Sequence, residues 1–392
     1  VRDIWPALPI VLAHNYEDWQ PGWGVDNVVA ALKQNDRICT IVLSGVPTLQ
    51  MEEILAAMHK PFPVLTELSL KSFNETASVD PLFLGGSATC LRILHLDYIT
   101  FPGLPKLLPS AAHLTDLLLN LSPSGYISPE AIVSCFFALT RLETLEFEFS
   151  GSLPIMEHRP PPPPTRTLLP ALTELRFYGV SGYLEDLVVR IDAPLLDDLK
   201  ISFFHQFIPD TAQLAQFINR LPKLKAHNDA HVDFQDDGIY LKLGPALEKG
   251  LGISYEVKDS QVLSVAQICT SSLFQAFSAS VECLYICNAH SYTNSQVVVL
   301  GESNHWLELL QPFTSVKSLY LSGAIVPYIA RAFRELFGEG VAGVLPTLKT
   351  LFLEKFDPYP WTPDELYGPT LSGREFSGRP VAVSRWGGEW DD

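Results

Sequence analysis

Basic residues are in short supply in this chain of 392: 27 lysines and arginines stand against 44 aspartates and glutamates, a formal net charge of −17 at pH 7. Binding to nucleic acid depends on Lys and Arg neutralising phosphates, so the deficit argues against such a partner. Cysteine is sparse too. Six scattered residues cannot staple a chain of this length, and a reducing compartment, cytoplasmic or nuclear, is the simpler expectation. No apolar run approaches the roughly 20 residues of a membrane helix, so no membrane partner is expected. The start, Val1-Arg2-Asp3-Ile4-Trp5-Pro6, lacks a secretory signal and an initiator Met, which makes a longer parent product the expectation. The sequons at Asn74 and Asn120 would matter only in a secreted chain. Also missing are a phosphate-binding glycine loop, His-Glu-x-x-His and a complete Gly-x-Ser-x-Gly; Gly179-Val180-Ser181-Gly182 falls one position short of the last. Cys283 and Cys287, four apart on a strand, would stand about 13 Å from each other, too far to share a zinc ion. No enzyme, metal or cofactor is expected.

What the chain has is one recurring phrase, Leu-x-x-Leu-x-Leu, returning about every 23 to 35 residues. It reads Ile38/Ile41/Leu43, Leu65/Leu68/Leu70, Leu91/Leu94/Leu96, Leu114/Leu117/Leu119 and Leu142/Leu145/Phe147. It continues as Leu172/Leu175/Phe177, Leu196/Leu199/Ile201, Val281/Leu284/Ile286, Val316/Leu319/Leu321 and Leu348/Leu351/Leu353. In the gap between 196 and 281, Ala230-x-Val232-x-Phe234 and Ile253-x-Tyr255-x-Val257 stand as weaker strands at the same phase. The phrase is the leucine-rich-repeat signature, a short strand plus a return segment that cannot bury its apolar face alone.

The return segments are helical. Apolar residues at i, i+3, i+4 and i+7 recur as Val25/Val28/Val29/Leu32, Met51/Ile54/Leu55/Met58, Ile132/Cys135/Phe136/Leu139, Leu184/Leu187/Val188/Ile191 and Leu214/Phe217/Ile218/Leu221. Asp26 and Asp210 stand where N-caps belong. Pro105 and Pro109 predict a 3₁₀ or irregular segment over 104–111. Pro63, Pro170, Pro194, Pro222 and Pro346 each precede a strand phrase and stop the segment before it. Alternating helix and strand predicts an α/β solenoid: a curved horseshoe with parallel strands on the concave face and helices on the convex face. One array is expected over 1–392, with an N-terminal capping unit at 1–37 that contains a strand at Ile10–Leu12. A Pro-rich loop insertion is expected at 151–169, around Pro160–Pro164, and a C-terminal wrapping segment at 355–392, where Val381–Val383 can supply a last strand.

Such arrays bind, and the x of Leu-x-Leu projects to the open strand face. Those residues run Val42, Ser69, His95, Leu118, Glu146, Arg176, Lys200, Tyr285, Tyr320 and Phe352, charged in the middle and aromatic toward the end. A protein client is expected to dock on Tyr285, Tyr320 and Phe352, with Arg176 and Lys200 at the rim and Glu146 and His95 further along the same face. The alternative is that the C-terminal segment, with Tyr359, Trp361 and Trp386, covers those rings.

Several phrases look familiar as a set. They are Gly24-Val-Asp-Asn-Val-Val-Ala-Ala-Leu32, Phe83-Leu-Gly-Gly-Ser-Ala88, Phe101-Pro-Gly-Leu-Pro-Lys-Leu-Leu-Pro-Ser-Ala111 and Ser124-Gly-Tyr-Ile-Ser-Pro-Glu130. The region Leu184 to Leu196, Trp306-Leu-Glu-Leu-Leu-Gln-Pro-Phe313 and the ending Val381-Ala-Val-Ser-Arg-Trp386 belong with them. In these phrases the chain resembles fungal F-box proteins that carry a C-terminal leucine-rich-repeat-like array. The resemblance implies the substrate-recognition part of a cullin-type ubiquitin ligase. The F-box that would dock the Skp adaptor is missing from these 392 residues, and the resemblance places it before Val1. A free-standing repeat scaffold without ligase chemistry is the other expectation.

Overall fold

The computed structural model describes residues 8–14, 24–73, 76–149, 165–204, 211–224, 227–235, 238–244, 249–256, 278–288, 303–335, 343–354 and 380–386. They fall into two compact units, Val1–Leu196 and Asp197–Asp392. Most of the expected Pro-rich insertion and C-terminal wrapping segment, and Asp210 with them, lies outside the described residues.

The first unit runs β1 (Ile10–His14), α1 (Val25–Leu32), β2 (Ile38–Pro47), α2 (Thr48–Ala56), β3 (Glu67–Phe73) and β4 (Ala77–Ser78). It continues through β5 (Ile93–Asp97), β6 (Ile99–Thr100), α3 (Leu104–Leu107), β7 (Asp116–Leu121), α4 (Pro129–Phe136) and β8 (Thr144–Phe149). It closes with β9 (Thr167–Leu168), β10 (Glu174–Gly179), α5 (Ser181–Val188) and β11 (Ile191–Asp192). Its main sheet is ordered β1-β2-β3-β5-β7-β8-β10, parallel at every described pairing.

The phrase works in the same way at several turns of the chain. Its first leucine closes a tight turn, as in Leu65 N–H to Phe62 O, Leu114 N–H to Ala111 O and Leu142 N–H to Leu139 O. The next residue then starts the ladder to the preceding strand: Thr66 to Cys39 O, Arg92 to Thr66 O, Thr115 to Arg92 O, Glu143 to Thr115 O and Thr173 to Glu143 O. Repeat length varies in the return segment, and the ladder stays in register at the Leu-x-Leu positions, with shifts only at Ile10/Val11 and Ser44/Val46 among the described pairings. Leu94, Leu117, Leu145, Leu175 and, in the second unit, Leu319 are all 0% exposed.

The five helical stripes form α1, α2, α4 and α5, and α6 in the second unit, with the stripe residues buried except for Val29, which is partly exposed. Asp26 does not cap α1. Gly24 holds that position, and Asp26 lies in the first turn, where a carboxylate still meets the positive end of the helix. The cap that forms is Ser128, whose Oγ accepts from Ala131 N–H at 3.2 Å, with Pro129 at the first helical position. Over 104–111 a four-residue α turn, α3, precedes the expected 3₁₀ segment, because Pro105 sits where no helical N–H is required. Asn120 is 2% exposed, with its amide donated to Asp97, so that sequon is not presented.

The second unit runs β12 (Asp198–Phe203), α6 (Ala212–Asn219), β13 (Asp229–Gln235), β14 (Gly238–Leu243), β15 (Leu251–Glu256) and β16 (Cys283–Asn288). Then come α7 (Ser303–Leu310), β17 (Ser318–Leu321), α8 (Val326–Glu335), β18 (Thr350–Glu354) and β19 (Ala382–Trp386). Its strand order is β12-β15-β14-β13-β16-β17-β18-β19. This corrects the expectation of a uniformly parallel sheet. β14 runs antiparallel to both β13 and β15, and β15, later in the chain, lies next to β12. Only two residues separate β13 from β14, too few for the crossover that a parallel pair needs. Both weak strands exist, but they belong to a three-stranded meander and are not successive repeats.

Candidate functional site

Strand register decides which side chains share the open face. In the first unit one row reads Val42, Ser69, His95, Leu118, Glu146 and Arg176. Each is partly exposed, while its neighbours on either side along the strand are buried. Polar partners bridge from strand to strand. His95 Nε2 lies 3.0 Å from Asp116 Oδ1, Lys71 pairs with Asp97 at 2.6 Å, and Arg176 pairs with Glu146 at 3.5 Å as well as with Glu174 on its own strand. Half-burial pushes the Glu146 and Glu148 carboxyls above the ordinary range, with neighbouring carboxylates adding to it; Arg176 opposes the shift at Glu146 and Lys71 at Glu148. This face is a mesh of ion pairs with an acidic surplus.

The second unit presents a different surface. Its row reads Lys200, Gly252, Lys242, His231, Tyr285, Tyr320, Phe352 and Ser384 across eight strands. Lys200 is paired with Asp198 at 2.9 Å. The four rings stack in sequence: His231 on Tyr285 with centroids 4.5 Å apart, Tyr285 on Tyr320 at 4.2 Å, Tyr320 on Phe352 at 4.3 Å. Their interplanar angles are 7°, 14° and 3°. In-register parallel strands bring identical positions within reach of one another, and a flat side chain at each makes a column. Stacking covers both faces of Tyr285 and Tyr320, so at these two rings a partner meets edges and hydroxyls. Trp386 of β19 already touches part of that edge surface, 5.6 Å from Tyr320 and 6.1 Å from Tyr285.

The expected trio of Tyr285, Tyr320 and Phe352 is thus brought together. Arg176 belongs to the first unit with His95 and Glu146, and Lys200 to the second. His231 extends the trio and was not among the expected residues, although it is the x of Ala230-x-Val232. Burial lowers its pKa to about 4, with Lys242 adding to the shift, so the imidazole is neutral at physiological pH. Burial also pushes the Cys283 and Cys287 thiols up, to about 11 and about 12, which leaves both protonated and poor metal ligands. Among the described residues no group of three His, Cys, Asp or Glu could hold a metal ion. Nor is any helix among them long and apolar enough to cross a membrane.

No family model and no curated protein matches the sequence. Among solved structures, the leucine-rich repeat-containing protein LegL7 from Legionella pneumophila is similar over 94% of this chain and 99% of its own. The identity is 14% and the TM-score 0.30, a loose likeness. The repeat character comes from this chain's own ladder of phrases.

Proposed function

We propose that the chain is a leucine-rich-repeat interaction scaffold that binds a protein client and performs no chemistry of its own. The observation that carries this reading is the column His231–Tyr285–Tyr320–Phe352, large rings held in register on one sheet face, with Tyr285, Tyr320 and Phe352 partly exposed. Aromatic residues of this kind dominate interface energetics. Replacing both Tyr320 and Phe352 by Ala is expected to reduce client capture at least tenfold while the circular dichroism spectrum and melt stay native. Unchanged capture by that folded variant would move the site elsewhere.

The finer reading, the substrate-recognition part of an F-box subunit, rests on the resemblance of phrases alone. A stiff array of this kind could hold a client at a fixed distance from a docked ligase core. The product of the whole reading frame is expected to capture the Skp adaptor. Failure of the whole product to do so would end the ligase assignment and leave the scaffold reading standing.

A further inference from the structure

β19 is unlike every other described strand of its unit. None of its five residues is buried, whereas each of the others buries at least two. Where β18 buries Leu351 and Leu353, β19 aligns Val383, partly exposed, and Arg385, exposed. The core therefore holds β19 weakly, and backbone pairing with β18 carries much of its attachment. On the open face Ser384 aligns with Phe352 and ends the ring column. Trp386 then carries its indole back onto the column, meeting Tyr320 at 75° and Tyr285 at 61°, edge to face. An exposed strand that adds its backbone to a sheet edge and places one large ring in an aromatic row has the form of a bound peptide.

We propose that β19 is an internal ligand. It occupies the edge of β18 and the exposed rims of Tyr285 and Tyr320, and a client takes both by the same chemistry. The client contributes an extended segment that pairs parallel to β18, with an aromatic side chain in the place of Trp386. This deepens the scaffold reading above and rests on it: it names how the client is recognised and what it must displace. Tethering gives an internal strand an effective concentration of roughly millimolar order, so it sets a threshold that weak or non-aromatic segments do not pass.

The test uses the full chain and a fluorescent synthetic peptide with the sequence of residues 380–386. The peptide should bind the Trp386→Ala variant at least about tenfold more tightly than the unaltered chain, because the tethered competitor has lost its ring. Adding Tyr320→Ala should remove that gain, and a peptide ending in Ala should show none. Equal affinity for the two chains, or no binding to either, overturns the proposal. Hydrogen exchange on the unaltered chain gives a second reading that needs no variant. Amides of 382–386 should exchange faster than those of 351–353, and equal protection would make β19 an ordinary core strand. Neither arm contains a client. Failure here therefore leaves the scaffold reading intact, and loss of that reading in the capture experiment does not touch the peptide result.

Discussion

At the scale of single residues, the fold turns on a difference between adjacent positions. Leu117 is fully buried and Leu118 is partly exposed, although both are leucines in the same strand. Leu117→Ala is expected to cost about 2–5 kcal/mol in urea unfolding, from lost transfer energy and the cavity left behind. Leu118→Ala should cost well under half of that, and equal costs would mean the register is wrong. The buried set was legible in the sequence because a two-residue alternation on strands and a 3.6-residue stripe on helices each point at one side. His231 makes a second prediction. Its folded pKa, about 4, lies below the usual 6.5, so the unfolded chain binds the extra proton as pH falls. The stability it contributes is complete above pH 6.5 and is lost as pH drops through 4, a swing on the order of 3 kcal/mol. His231→Phe should keep the ring column and flatten that part of the acid-unfolding profile; an unchanged slope would assign the effect to other groups.

At the scale of elements, β14 (Gly238–Leu243) and its reversed direction were what the sequence analysis did not disclose. Ile239, Leu241 and Leu243 alternate on β14 just as Leu68 and Leu70 do on β3, and alternation is the same read forward or backward. Proximity in the chain carried the direction instead, through the short span between β13 and β14. The approach of Trp386 to the rings was hidden for a related reason, since the long stretch between β18 and β19 carries no periodic signal. The meander also explains one glycine. A Cβ on Gly250 would collide with the carbonyl oxygen of Leu243, at the place where β14 and β15 converge. Gly250→Ala should cost about 1–3 kcal/mol by forcing the two strands apart. Gly343→Ala, with open space around it, serves as the control and should be close to neutral. Equal melts for the two variants would argue against the strand arrangement β12-β15-β14.

At the scale of the whole molecule, the surplus of acid is the dominant property. A net charge of −17 makes the folded chain repel itself, and salt shortens the reach of that repulsion from about 30 Å at 0.01 M to about 8 Å at 0.15 M. The urea midpoint should therefore rise with ionic strength. A fall would mean that pairs such as Lys71–Asp97 and Lys317–Glu282 outweigh the net charge. The reversed strand bears on how such a chain can change in length. Repeat arrays grow and shrink by whole units, but between 229 and 256 a single strand cannot be removed, because losing β14 alone would leave β13 and β15 with no short connection that keeps both parallel. The three strands form one indivisible cassette. Across it the row stays in phase, from Lys200 through Gly252, Lys242 and His231 to Tyr285. Excision of the cassette would set Lys200 beside Tyr285 with both flanking ladders still aligned, so this block could enter or leave a lineage in one step without disturbing the repeats on either side.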